Sequence, residues 1–200
     1  MKPNFAKLYC ATTNRGKLRE FQEAFRDSIQ VEPLPDLESI APPEETGVTF
    51  EENAILKARY YAPYGGQVAV FAEDSGLEVD ALDGAPGVYS ARFAGHGADD
   101  SANNALLLER LADAPDRHAR YVAVVTLILP VGELHSFRGE VEGEILREPR
   151  GSGGFGYDPL FFYPPFNATF AEVTAQQKLT VSHRGRAVKK MNEFLRIYFK

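Results

Sequence analysis

The chain has 200 residues, of which 44% are hydrophobic and 25% charged, proportions that exclude intrinsic disorder and fit one domain spanning 1–200 with a sizeable core. Its 28 acidic and 22 basic side chains leave a formal charge of −6, which argues against a protein that coats nucleic acid. No apolar run suits a membrane span, residues 1–7 show no signal-peptide core, and the single cysteine, Cys10, excludes an internal disulfide or a Cys-based metal cage, so a cytoplasmic protein is expected.

The periodicities alternate between strand and helix. Residues 7–11 read as a strand, and Asn14 then caps a helix carrying Leu18, Phe21 and Phe25 on one face. A second strand is expected at 29–34, followed by a loop rich in Pro and Glu. Thr49 and Glu52 form a capping box for a helix lined by Ala54, Ala58 and Tyr61, which Gly65–Gly66 should end. Strands are expected at 67–72 and again at 77–82. Asp100 is the expected cap of a helix bearing Leu107, Leu108 and Leu111. Residues 121–129 read as a central strand joined to a partner by a hairpin at Pro130–Glu133. A glycine-rich loop over 151–159 leads into a strand at 160–163. Thr174 and Gln177 make a second capping box, and Val188, Met191, Leu195 and Tyr198 mark a final helix. This order predicts an α/β fold with a mixed sheet.

Charge is unevenly distributed. Residues 36–53 hold six acids and no base, whereas 175–200 hold seven bases and one acid. Such segments can build a metal-and-polyanion site, although two solvated faces are the ordinary explanation.

Four segments carry candidate chemistry. Thr12–Lys17 lies where a strand hands over to a helix, a place where exposed amides, the helix dipole and Lys17 favour phosphate. Glu73–Asp74–Ser75–Gly76 follows an apolar strand, so its carboxylates should sit at that strand's carboxyl end and offer hard oxygen ligands to Mg²⁺. Adjacent strand residues face opposite ways, so one of the two acids should face the site. Gly151–Gly156 matches Gly-x-Gly-x-x-Gly but runs into Tyr157–Asp158–Pro159 rather than a helix, which rules out a dinucleotide fingerprint. Its amides and Phe155 remain suited to a flat ring. Lys178, His183, Arg184 and Arg186 supply further donors, or simply a basic helix surface. His96, His118 and His135 lack metal or triad spacing.

Together these segments resemble the inosine triphosphate pyrophosphatase family, the non-canonical purine NTP (XTP/dITP) pyrophosphatases. The resemblance runs in order through ATTNRGKLRE, EETGVTFEENAILKA, EDSGLEVDALDGAPGVYSARFAG, GGFGYDPLF and KLTVSHRGRA. It implies a two-lobed α/β fold with a long mixed sheet and a substrate cleft between lobes, commonly as a homodimer. It also implies Mg²⁺-dependent hydrolysis of ITP, dITP and XTP to monophosphate and pyrophosphate. By position, Thr12, Thr13, Asn14, Arg15, Gly16 and Lys17 would hold phosphates and Lys57 would neutralise them. Glu45 and Asp74 would bind Mg²⁺, with Asp74 also the candidate base. Ser75, Phe155, Gly156, Tyr157, Asp158, Lys178, His183 and Arg184 would contact substrate.

A 6-oxo purine accepts where adenine's amino group donates, so a donor-lined pocket, including loop amides, would reject ATP. Two positions depart from the usual pattern: Glu73 stands where Asp is common, and Thr13 where Gly is common. The rivals are a Maf-like pyrophosphatase acting on other nucleotides and a non-catalytic nucleotide- or RNA-binding module using the basic C-terminal helix. Retention of Glu45, Asp74 and Lys17 together favours catalysis.

Overall fold

The computed structural model describes residues 7–198; the expectation about a signal-peptide core rests on the N-terminal segment, of which 1–6 lie outside them. Strand β1 (Lys7–Cys10) leads into helix α1 (Arg15–Phe25), and β2 (Gln30–Pro33) precedes α2 (Phe50–Tyr61). Then come β3 (Val70–Val79), α3 (Asp100–Arg110), β4 (His118–Ile128) and β5 (Leu134–Ile145). Strands β6 (Phe161–Tyr163) and β7 (Ala168–Thr169) precede α4 (Ala175–Val181) and α5 (His183–Tyr198). Among the described residues, no helix is long and apolar enough to cross a membrane.

The expected mixed α/β architecture is present as a seven-stranded sheet in the order β2-β1-β3-β4-β5-β6-β7. Strand β1 pairs in parallel with β2 and β3, and the remaining pairs are antiparallel. The long strands β3, β4 and β5 run past β1 and carry two hydrophobic clusters. One packs Phe71, Val125 and Leu127 against Phe21 and Phe25 of α1 and Met191 and Leu195 of α5. The other, farther along the strands, packs Leu77, Tyr121 and Val141 against Leu107 and Leu111. The opposite sheet face is covered by α2, through Phe50 and Ala54 on Val122 and Val124. The two lobes of the fold are these two ends of one sheet, and a cleft separates them.

Local signals set most helix starts. Asn14 accepts Lys17 N–H at 2.9 Å, and both capping boxes are formed, Thr49 with Glu52 and Thr174 with Gln177. Three expectations are corrected. The helix after Thr49 ends at Tyr61 and continues as a 3₁₀ turn over Ala62–Gly65, ahead of Gly66. The cap of α3 is Asp99, which accepts Ala102 N–H at 2.8 Å, so Asp100 is freed into the first turn. Strand β3 is continuous from Val70 to Val79, where separate strands at 67–72 and 77–82 were expected. An unbroken antiparallel register with β4, from Val70↔Ile128 to Val79↔Ala119, overrides the turn-like composition of Asp74–Ser75–Gly76. Glu73 and Asp74 therefore stand mid-strand and not at a carboxyl end.

Candidate active site

The site exists because β1 is short. Its register with β3 ends at Cys10↔Phe71, where Ala11 N–H still donates to Phe71 C=O at 2.8 Å, and the chain then turns into α1. On that edge of β3 the next backbone pairing is the isolated bridge Glu78↔Pro86. Between them the β3 edge forms a notch. Leu77 N–H and Val79 N–H point to this edge, toward Ser90 Oγ and Ala85 C=O, so the period of two directs the Glu73 and Ser75 amides into the notch.

Side chains alternate about the notch. Asp74 points toward α2, where Lys57 Nζ approaches its Oδ1 at 2.6 Å and Asn53 Nδ2 its Oδ2 at 3.4 Å. The same ammonium lies 3.1 Å from Glu45 Oε1, and Arg92 holds the other Glu45 oxygen at 3.3 Å. Two carboxylates thus already flank a cation. Burial pushes the Asp74 carboxyl above its ordinary value, and Lys57 pulls it back. Burial also opposes charge on Lys57, but Asp74 and Glu45 outweigh it and hold the ammonium charged.

Glu73 points the other way. Arg184 grips it with a guanidinium fork, Nε–Oε1 at 2.8 Å and Nη2–Oε2 at 3.2 Å, and Lys17 Nζ lies 3.1 Å from Oε2. Burial opposes ionisation of Glu73, yet Arg184 and Lys17 hold it well below the usual carboxylate range. Arg184 also donates to Ser75 Oγ and to Glu20, while Lys178 donates to Glu20 and Asp158 at 2.8 and 2.6 Å. The basic run near the C-terminus is therefore no solvated surface at these positions: Lys178, His183 and Arg184 are all buried. Glu20, on α1, ties the two cations together; it closes the block ATTNRGKLRE but had been given no role.

A cleft opens beside the Glu73–Arg184 pair. Ser75, Tyr121, Phe155, Tyr157, Lys178, His183 and Arg184 line it, with Asn14 and Lys17 at the start of α1. His183 lies nearly parallel to Tyr121, with ring centroids 4.7 Å apart. Burial, aided by Arg184, drives the His183 pKa well below its ordinary value, so the ring is neutral, and its Nδ1 is buried without a protein partner. The Phe155 ring lies over Lys178 Nζ at 4.8 Å. It also rests on Gly16, where a Cβ would come within 2.8 Å of its Cδ1. That close approach joins the α1 start to the glycine loop and explains why residue 16 lacks a side chain.

Other expected residues fall into place unevenly. Thr12 Oγ1 accepts Asn14 N–H at 3.2 Å and shapes the turn, while Thr13 and Arg15 are exposed and do not line the cleft. Thr13 has a negative φ, so the glycine usual there is not needed for a left-handed conformation. Two of the glycine-loop amides expected to face a base are engaged within the protein. Phe155 N–H donates to Asp158 at 2.9 Å and Gly156 N–H to Asp100 at 2.6 Å. Asp158 is itself enclosed by Lys178, Tyr121 and that amide, and burial raises its pKa against the pull of Lys178.

The alignment of these features along the chain matches the Ham1 family model over residues 8–194. The chain belongs to the Ham1 family. A Ham1 relative from Exiguobacterium sibiricum, named dITP/XTP pyrophosphatase, is 54% identical over 94% of this chain and 96% of its own length. One of the same name from Listeria monocytogenes is 48% identical over 95% of each. The Staphylococcus aureus Ham1 protein structure superposes with a TM-score of 0.84 at 42% identity, covering 95% of this chain and 98% of that one. The seven-stranded sheet and the cleft are thus a Ham1 framework.

Among the described residues no group of three or more His, Cys, Asp or Glu side chains could hold a metal. The Glu45–Asp74 pair nevertheless fits Mg²⁺, which commonly takes one or two carboxylates and completes its shell with water and substrate phosphate. The Lys57 ammonium between the two carboxylates shows that the spot accepts positive charge.

Proposed function

We propose that this chain, as one domain over residues 1–200, hydrolyses dITP, XTP and ITP to the nucleoside monophosphate and pyrophosphate with Mg²⁺. The observation that carries this reading is the continuity of the two half-sites. Ser75, which lines the aromatic cleft, follows directly on Asp74, which faces the cation between the carboxylates.

In this reading the purine lies between Tyr121, Phe155 and His183. Lys178 has three N–H donors and engages Glu20 and Asp158 with two, which leaves one for a 6-oxo oxygen. Neutral His183 supplies another donor. Adenine would bring its amino group against these donors and leave them unpaired, a discrimination that reaches ~10⁴-fold in sites of this kind. The triphosphate runs past Ser75 over the α1 N-terminus, where the first turn contains no acid to repel it, and Lys17 meets it.

At the notch a water attacks the α-phosphorus. Its oxygen forms the new P–O bond, its proton passes to the Asp74 carboxylate, and the bond to the β-phosphate's bridging oxygen breaks. Asp74 suits the task because burial raises its proton affinity while the Lys57 ammonium favours its carboxylate form. Lys57 and Lys17 take up the charge that develops on departing pyrophosphate. Mg²⁺ held by Glu45 and Asp74 would supply Lewis-acid charge neutralisation there. A cytoplasmic homodimer without nucleic-acid or membrane partners completes the proposal; sedimentation of the purified protein at monomer mass would remove the dimer from it. The assay for the activity itself is pyrophosphate release from ITP, XTP and dITP against ATP, with the monophosphate as second product.

A further inference from the structure

One turn of α3 grips the glycine loop. Asp100 Oδ2 accepts Gly156 N–H at 2.6 Å, and Asn104 Nδ2 donates to Gly156 C=O at 3.0 Å. The two side chains are four residues apart and so share a helix face. Gly156 is in the left-handed region with φ of 63°, so both of its polar groups are committed in a conformation other residues resist. On the same turn Asn103 accepts Ala94 N–H at 2.8 Å and donates to Ala91 C=O at 3.3 Å. Tyr157, next to Gly156, donates to Ser90 C=O at 2.8 Å. This turn therefore fastens the loop above the cleft to the 3₁₀ segment Gly87–Arg92 on its other wall.

All of these partners belong to the base end of the cleft. Asp74, Glu45 and Lys57 make their contacts with α2, Arg92 and one another. Phe155 precedes Gly156, and its ring lies over both Lys178 and Arg184. Any tilt of Gly156 moves that ring against the donors beneath it.

We propose that Asp100 and Asn104 are positioning residues for base recognition. They fix the height of the Phe155–Asp158 loop over the cleft, and with it the preference for purines carrying a 6-oxo group. The proposal rests on the reading of this cleft as the base pocket. It assigns a role to the α3 first turn, where the carboxylate of Asp100 takes the Gly156 amide away from the substrate and leaves recognition to side chains.

The test compares Asp100→Ala, Asp100→Asn, Asn104→Ala and the double alanine variant with the unaltered protein. Steady-state kinetics on XTP, ITP and ATP are measured together with calorimetric binding of IMP and inhibition by pyrophosphate. In each alanine variant KM for XTP and ITP should rise about tenfold with kcat within about twofold, the pattern of a lost positioning hydrogen bond. IMP binding should weaken in parallel, the preference over ATP should shrink, and pyrophosphate inhibition should stay unchanged. Asp100→Asn keeps an acceptor and should recover most of the loss. Unchanged KM and IMP binding in the folded double variant would overturn the proposal, as would equal losses of IMP and pyrophosphate binding. If the double variant does not fold, Asn104→Ala alone decides by the same IMP measurement. Absence of ITP and XTP turnover in the unaltered protein would instead overturn the functional reading beneath it.

Discussion

Glu73 and Asp74 are neighbours in sequence but serve opposite faces of β3, Glu73 paired with Arg184 and Asp74 with Lys57. Strand alternation separates them, and the open edge left by the short β1 lets both reach one notch. One acid holds the Arg184 guanidinium that lines the cleft, while the other, in the proposed reading, faces the reacting end. Glu73 in place of the more usual Asp has the longer arm with which to meet the Arg184 fork.

Asp74→Asn tests that division. The amide keeps the shape and can still contact Asn53, but it cannot take a proton. Turnover should fall by ~10²–10⁴-fold, the usual contribution of a general base. Circular dichroism and IMP binding should be little altered; a variant with near-normal kcat would remove Asp74 from the chemistry.

Arg184→Met should be felt in stability. Removing one partner of a buried ionic cluster leaves Glu73 with Lys17 alone and Glu20 with Lys178 alone, so the loss should approach the about 3–5 kcal/mol typical of a broken buried pair. Arg184→Lys keeps the charge but loses the fork, and should fall between the two. Urea midpoints of the three proteins give the order directly.

His183 sets a pH dependence. Its folded pKa is depressed by burial, so the unfolded chain binds a proton that the folded chain refuses once pH drops below the ordinary histidine value of ~6.5. Stability from this group is present above that pH and is lost as pH falls, by at most about 1.4 kcal/mol per pH unit for one proton. Thermal midpoints between pH 7.5 and 5 should decline, and His183→Gln should flatten the decline. An equal slope in the variant would place the effect elsewhere.

Metal removal should separate activity from folding. In the proposed reading Glu45 and Asp74 hold Mg²⁺ at the spot where Lys57 bridges them. Excess EDTA should abolish turnover while leaving the thermal midpoint within a degree or so of its original value, and added Mg²⁺ should restore the rate. A large drop in the midpoint would indicate a structural ion.

Lys17→Ala bears on the phosphate end. Lys17 stands at the α1 N-terminus with its ammonium 3.1 Å from Glu73. Its loss should raise KM for the triphosphates by about tenfold or more and weaken pyrophosphate inhibition, with IMP binding less affected. Unchanged constants would remove Lys17 from the site.

What the sequence disclosed follows the range of the forces involved. The caps at Asn14, Thr49 and Thr174 were readable because a side chain meets an amide three residues on. The continuity of β3 was not, because the ladder to β4 that enforces it lies some fifty residues away, while the local composition says turn. Likewise Lys178 and Arg184 look like surface charges until Glu20 and Glu73 arrive from α1 and β3. Asp100 looked like a cap, and only the position of the glycine loop reveals its partner. The ordered motifs marked most of the residues that the fold gathers around the cleft and the Asp74 notch; the buried network that joins them came from long-range pairing.

The central claim is that donors in an aromatic cleft select the base while the Asp74 notch cuts after the α-phosphate. It is tested most directly by turnover with Mg²⁺ on ITP, XTP and dITP beside ATP, GTP and dTTP, with products resolved by anion exchange. The account predicts monophosphate and pyrophosphate from the first three, at rates far above those on ATP and dTTP. Orthophosphate as product, or equal rates on all six nucleotides, would contradict it.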